Sequence, residues 1–143
     1  MKISVIGAGN VGGLAAMRIA QERLGEVCLI DVVKGLAQGK AFDMDDAAPA
    51  LKYLYKIEGS DDINKIEGSD IIVITAGLAR KPGMTREELL SKNSSIVKEL
   101  CSQIKKTAAN AIVILVTNPL DLITYIALKA CGFKPNKVFG MGL

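Results

Sequence analysis

Short apolar runs alternate with helix-period stretches along almost all 143 residues, and that alternation constrains the fold more than any other feature. The first run, Lys2-Ile3-Ser4-Val5-Ile6, stops at Gly7-Ala8-Gly9-Asn10. Val11, Leu14, Ala15, Arg18 and Ile19 then recur at helical spacing, with Gly25 expected to end the helix. Val27-Cys28-Leu29-Ile30 is a second strand halted by Asp31, and a helix over 36–46 is expected to stop before Pro49. A weaker strand is predicted over 53–57. Ile71-Ile72-Val73-Ile74 is a continuous apolar run, as in a parallel strand buried on both faces.

The second half continues the pattern. Thr75-Ala76-Gly77 ends that strand, and a polar loop over 78–84 leads to Thr85 and Glu88, a T-x-x-E capping box opening a long helix with a break expected near Asn93. Ile112-Val113-Ile114-Leu115-Val116 is the strongest strand. Pro119 suits the first turn of the next helix, Gly132 suits its end, and Val138-Phe139 opens a sixth strand. Strands joined by helices through right-handed crossovers build one α/β unit, a doubly wound parallel sheet of six strands with helices on both faces.

Composition narrows the function. Half the residues are hydrophobic, which suits a packed core, and 18 basic against 15 acidic residues leave +3, too little for a nucleic-acid footprint. No segment approaches the roughly 18 apolar residues of a membrane span, and the start carries no secretion signal. Cys28, Cys101 and Cys131 are far apart without CxxC spacing, so reduced core thiols in a cytoplasmic protein are expected, not a disulfide frame or a metal site. The chain has no histidine. That removes the commonest general acid–base, so a proton carrier must be another residue type or lie outside this chain.

The glycine pattern is Gly7-x-Gly9-x-x-Gly12, placed between a strand and a helix. Dinucleotide binding needs the first glycine for a tight turn and the second for close backbone approach to a pyrophosphate. The third lets helix and strand pack, with the helix N-terminus facing the phosphates. Asp31 stands at the end of the second strand, 19 residues beyond Gly12, where a carboxylate accepts ribose hydroxyls and repels a 2′-phosphate. The pair points to NAD over NADP.

Arg80, Lys81 and Arg86 put three positive charges in the loop after the fourth strand, at the edge where open α/β sheets bind ligands. Two arginines could hold two carboxylates, or one carboxylate and a carbonyl; a solvated basic loop is the competing reading. Pro82-Gly83 gives the loop a stiff turn beside a pivot, as in a lid. Asn118 either hydrogen-bonds a ligand or caps the helix at Pro119, and Asn93 either makes a polar contact or sits on the surface. Tyr125 and Lys129 have the Y-x-x-x-K spacing of short-chain dehydrogenases, but the glycine loop does not match that family, and helix packing accounts for the pair.

These segments, with Gly39-Lys40-Ala41-Phe42-Asp43-Met44 and Val116-Thr117-Asn118-Pro119, resemble the amino-terminal half of the malate dehydrogenases of the lactate/malate dehydrogenase superfamily. The resemblance implies that Gly7, Ala8, Gly9, Asn10, Val11 and Gly12 hold the NAD pyrophosphate and Asp31 the adenosine ribose. It implies cofactor contacts at Thr75, Ala76, Gly77, Asn93 and Asn118, with Val116 and Thr117 on the nicotinamide side. Arg80 resembles the arginine that pairs with the far carboxylate of a dicarboxylic substrate, where lactate dehydrogenases typically carry glutamine. Arg86 resembles the arginine that polarises the substrate carbonyl, and Asn118 an asparagine that touches substrate. Malate and oxaloacetate, hydride transfer, the tricarboxylic acid cycle and a homo-oligomer at full length follow as expectations, with helices such as that holding 39–46 joining the subunits. The family's catalytic histidine lies downstream in a second domain, so a cofactor domain that binds NAD without turnover is expected. A lactate or other 2-hydroxy acid dehydrogenase and a non-catalytic NAD-binding module remain open.

Overall fold

A computed structural model describes residues 1–52 and 56–142. The chain runs β1 (Lys2–Ile6), α1 (Asn10–Gln21), β2 (Glu26–Ile30), α2 (Leu36–Leu51), β3 (Ile57–Ser60), β4 (Ile71–Ile74), α3 (Arg86–Thr107), β5 (Ile112–Leu115), α4 (Leu120–Cys131) and β6 (Val138–Gly140). Short 3₁₀ turns at Ile63–Ile66 and Pro135–Lys137 precede β4 and β6. All strand pairs are parallel in the order β3-β2-β1-β4-β5-β6, so the expected doubly wound sheet is present with its reversal between β1 and β4.

Side-chain alternation along each strand feeds two cores. Ile3, Val5, Val27, Leu29, Ile57 and Val73 face Ala16, Ala20, Ala37 and Ala41 of α1 and α2. Ile6, Ile30, Ile72, Ile74, Val113 and Leu115 face Val97, Cys101, Ile104, Ile123 and Cys131 of α3 and α4. All three cysteines are free and buried.

Several local expectations change. The stripe of α1 against the sheet is Gly12, Gly13, Ala16 and Ala20, whereas Val11 and Leu14 are 60% and 55% exposed. Small residues win that face because the helix lies almost on the end of β1: a Cβ on Gly12 would stand 1.8 Å from the Gly7 carbonyl oxygen. Gly25 does not end α1; Glu22 caps it, and Gly25 instead makes room for the Met1 carbonyl, 2.4 Å from where a Cβ would be. Helix α2 runs through Pro49 to Leu51, with the proline forgoing its own N–H bond only three residues before Lys52 closes the helix in the left-handed conformation. The third strand begins at Ile57, in register with Val27, and residues 53–55 of the expected strand lie outside the described residues. Helix α3 is unbroken at Asn93, and Pro119 is the N-cap of α4, after a cis peptide bond, not a residue of its first turn.

Candidate cofactor and substrate site

Register aligns the carboxyl ends of four strands. Ile6 is level with Ile30 and Ile74, and Ile74 with Leu115, so Gly7, Asp31, Thr75 and Val116 leave the sheet side by side. Their amides continue the ladder one step: Gly7 N–H donates to the Ile30 carbonyl (2.7 Å), Thr75 and Ala76 N–H to Ile6 (2.9 and 2.8 Å), and Val116 N–H to Ile74 (2.9 Å). The reversal of strand order leaves a crevice between β1 and β4, where doubly wound sheets take their ligands.

The glycine corner is shaped by contacts that tolerate no side chain. Gly7 has φ +107°, and a Cβ there would lie 2.6 Å from Ala76 N. Thr75 Oγ1 donates to the Gly7 carbonyl (2.9 Å), bracing the turn from β4. Gly9 differs from both: it is exposed, its backbone is extended at φ −65° and ψ −165°, and a Cβ would meet nothing within 4 Å. Gly9 is the N-cap of α1 and offers no side-chain cap, and the first turn has no acidic residue. The first N–H groups of α1 thus face the crevice mouth without a side-chain acceptor, as a pyrophosphate requires.

Asp31 closes the corner. Its Oδ2 accepts from Ala8 N–H (2.7 Å) and its Oδ1 from Val33 N–H (2.9 Å), which pins the carboxylate beside the turn while each oxygen retains a lone pair. The residues present fit NAD: exposed backbone at Gly9 with open space above it, uncapped helix donors, and an anchored carboxylate for the ribose diol.

The loops after β4 and β5 are tied together by Asn93. Its side chain, 1% exposed, accepts from Leu78 N–H (2.8 Å) and donates to the Leu78 and Asn118 carbonyls (3.3 and 2.8 Å). The two readings of Asn93 resolve to a polar contact, but with backbone on both sides. Thr117 is buried as well, and its hydroxyl donates to the Ala76 carbonyl (2.8 Å) while its methyl fills the space a Gly77 side chain would need. Both residues therefore hold Ala76, Gly77 and Asn118 in place, and Val116 remains half-buried at the strand end.

Arg80, Arg86 and Asn118, distant in sequence, line one cavity of about 400 Å³ with Leu90 and Leu122 as apolar wall. Thr85 and Glu88 form the expected capping box, with Glu88 N–H to Thr85 Oγ1 at 3.1 Å and Thr85 N–H to Glu88 Oε2 at 2.8 Å; this places Arg86 at the start of α3. Arg80 Nε donates to the Met84 carbonyl (3.0 Å), which folds the loop and leaves the terminal guanidinium nitrogens for a carboxylate. No side chain caps α4, and Asn118 lines the cavity. Glu87, next to Arg86 in the chain, also lines the cavity, a residue the sequence reading did not single out. Tyr125 and Lys129 make a surface cation–π contact, 5.4 Å from ammonium to ring centre, with Tyr125 61% exposed.

Fold and site together define a doubly wound dinucleotide-binding domain with an arginine-bearing loop after its fourth strand. The chain belongs to the lactate/malate dehydrogenase NAD-binding domain family, whose model matches residues 1–140. It is 52% identical over 141 residues to the malate dehydrogenase of Methanosarcina mazei, covering 99% of this chain and 46% of that protein. Among solved structures it is similar to the apo malate dehydrogenase of Picrophilus torridus (TM-score 0.94, 44% identity, covering 99% of this chain and 45% of that one). It is also similar to the Plasmodium falciparum malate dehydrogenase in complex with NADH (TM-score 0.90, 34% identity, covering 99% and 44%). The chain spans about half the length of the curated relatives it matches. No helix among the described residues is long and apolar enough to cross a membrane.

Proposed function

We propose that this chain is the cofactor half of an NAD-dependent malate dehydrogenase, working in the cytoplasm as a homo-oligomer when joined to its second, catalytic domain. The observation that carries the reading is the convergence of Arg80, Arg86 and Asn118 on one cavity, in loops that leave the same edge of the sheet as the glycine corner. Bound at that corner, NAD supplies the hydride acceptor for oxidation of a 2-hydroxy acid. Gly7, Ala8, Gly9, Asn10, Val11 and Gly12 offer backbone to the pyrophosphate, and Asp31 takes the ribose. Thr75, Ala76, Gly77, Asn93, Val116 and Thr117 shape the nicotinamide side, Asn93 and Thr117 through the backbone they hold.

Arg80 takes the substrate's far carboxylate, and Arg86 stabilises charge on the carbonyl oxygen as it forms. A dicarboxylate gives Arg80 a charge partner that a monocarboxylate lacks, so an arginine there selects malate over lactate. With no histidine among the 143 residues, the proton is carried from the other half of the protein, which also completes the grip on substrate.

Calorimetric titration of the chain with NADH, against NADPH, tests the cofactor assignment. NADH is expected to bind at least tenfold more tightly; equal affinities would remove the role given to Asp31. Substrate selection is tested in the full-length enzyme, where R80Q should lose activity on oxaloacetate more than on pyruvate. An unchanged ratio would refute the role of Arg80.

A further inference from the structure

We propose that Lys40 is a further cofactor-binding residue, a cation that supports the pyrophosphate at the glycine corner from the side of α2. The inference rests on the reading of that corner as the NAD site and adds one residue to it.

Lys40 lies on α2, 31 positions from Gly9, yet its Nζ donates to the Gly9 carbonyl at 3.2 Å. Its stem crosses the first turn of α1: a Cβ on Gly13 would meet Lys40 Nζ at 3.3 Å and Cδ at 3.4 Å. The missing side chain at Gly13 is what lets the lysine lie there. Among the described residues the ion pair is Lys65 with Glu58, and Lys40 has no carboxylate partner.

This placement runs against the helix dipole. The N-terminus of a helix carries partial positive charge, favours anions and disfavours a lysine. Here an unpaired ammonium touches the N-cap of a helix whose first turn has neither an acidic residue nor a side-chain cap. A doubly charged pyrophosphate at the corner turns both arrangements favourable at once, since it accepts from the helix N–H groups and neutralises the ammonium. Lys40 is half-buried, with its stem beside Gly13 and its ammonium on the Gly9 carbonyl at the first turn of α1.

The competing role is a brace that fixes Gly9 without contributing charge. Three variants separate the two. K40M keeps the stem over Gly13 and loses the charge; K40Q loses the charge but can still donate to the Gly9 carbonyl; K40R keeps the charge. NADH affinity is measured for each, and for the unmodified chain, over a salt series, with thermal unfolding alongside. At low salt K40M and K40Q should bind NADH about 3- to 10-fold more weakly, a gap that closes at high salt where the charge is screened, and K40R should restore affinity. If K40M does not fold, K40Q gives the same reading. Unchanged NADH affinity in K40Q, or a loss that is the same at every salt concentration, overturns the inference while leaving the corner assigned. Failure of the unmodified chain to bind NADH overturns the reading of the corner and this inference with it.

Discussion

Two alanine substitutions three residues apart should have opposite consequences, because Gly9 and Gly12 are glycines for different reasons. At Gly12 an added Cβ would sit 1.8 Å from the Gly7 carbonyl oxygen and 2.5 Å from Thr75 Oγ1. A carbon–oxygen contact needs about 3.3 Å, so α1 would have to recede by roughly 1.5 Å from the corner it packs on. Overpacking of this kind typically costs about 1–3 kcal/mol, and the contact with rigid backbone puts G12A at the upper end. Alanine's helix preference returns at most about 1 kcal/mol. The net loss is about 2 kcal/mol, or roughly 4–8 °C in Tm for a chain of this size.

At Gly9 the same methyl meets open space, and the backbone is already extended with φ −65°. G9A should therefore match the native chain in stability or gain up to about 1 kcal/mol through the unfolded state. Its NADH affinity should nevertheless fall, because the methyl stands where the pyrophosphate approaches the peptide. Loss of one charge-assisted hydrogen bond is worth about 1.5–3 kcal/mol, or roughly 10- to 100-fold in Kd. Urea unfolding and NADH titration of both variants provide the assay. A G9A chain that binds NADH as tightly as the native one would refute the claim that coenzyme lies against Gly9. A G12A chain of native stability would refute the packing argument.

Three further outcomes follow from individual contacts. N93A should destabilise the chain by about 2–3 kcal/mol in chemical unfolding, because it strips the buried partners of the Leu78 and Asn118 backbone; a change below about 0.5 kcal/mol would mean that those groups find water or each other. The Thr85 backbone N–H holds the Glu88 carboxyl below its ordinary value, with the Thr85 hydroxyl assisting. A carboxyl lowered by folding stabilises fully above its unfolded value and loses that contribution as pH falls through the folded one, so the gap between native and E88A should be present at neutral pH and shrink below about pH 4. A gap independent of pH would mean the carboxylate form is not what caps α3. The thiols of Cys28, Cys101 and Cys131 are all buried; burial pushes Cys28 up, and the hydrogen bond with Cys131, together with burial, pushes Cys101 up. An aromatic disulfide reagent should leave all three untouched until denaturant is added, and rapid labelling of Cys101 or Cys131 in the folded chain would show that α3 and α4 separate readily.

The features legible in the sequence are those whose signal is local. A buried parallel strand such as Ile71–Ile74 is a run of β-branched residues wherever it sits, and the capping box at Thr85 and Glu88 spans one helical turn. The glycine corner and Asp31 were readable because each follows directly on a strand, and parallel register then brings strand ends together. Signals spread across elements were not. Val11 and Leu14 have the period of a buried face, yet Gly12 and Gly13 take that face through close approach of backbone and of the Lys40 stem, which no periodicity records. Asn93 looks like a helix breaker until its partners at Leu78 and Asn118 are known. Lys40 stands in the segment 39–44 that carries the family resemblance, but its contact with Gly9 depends on how α2 packs on α1.

The central claim is that the coenzyme is held by bare peptide at the first βα corner and by the carboxylate next to it. A crystal structure of the chain grown with saturating NADH tests this most directly. The account predicts pyrophosphate oxygens against the amides of residues 9–12 and the adenosine ribose hydroxyls on Asp31. Coenzyme bound elsewhere on the sheet edge, or a corner left empty while Asp31 keeps only its Ala8 and Val33 amides, would contradict it.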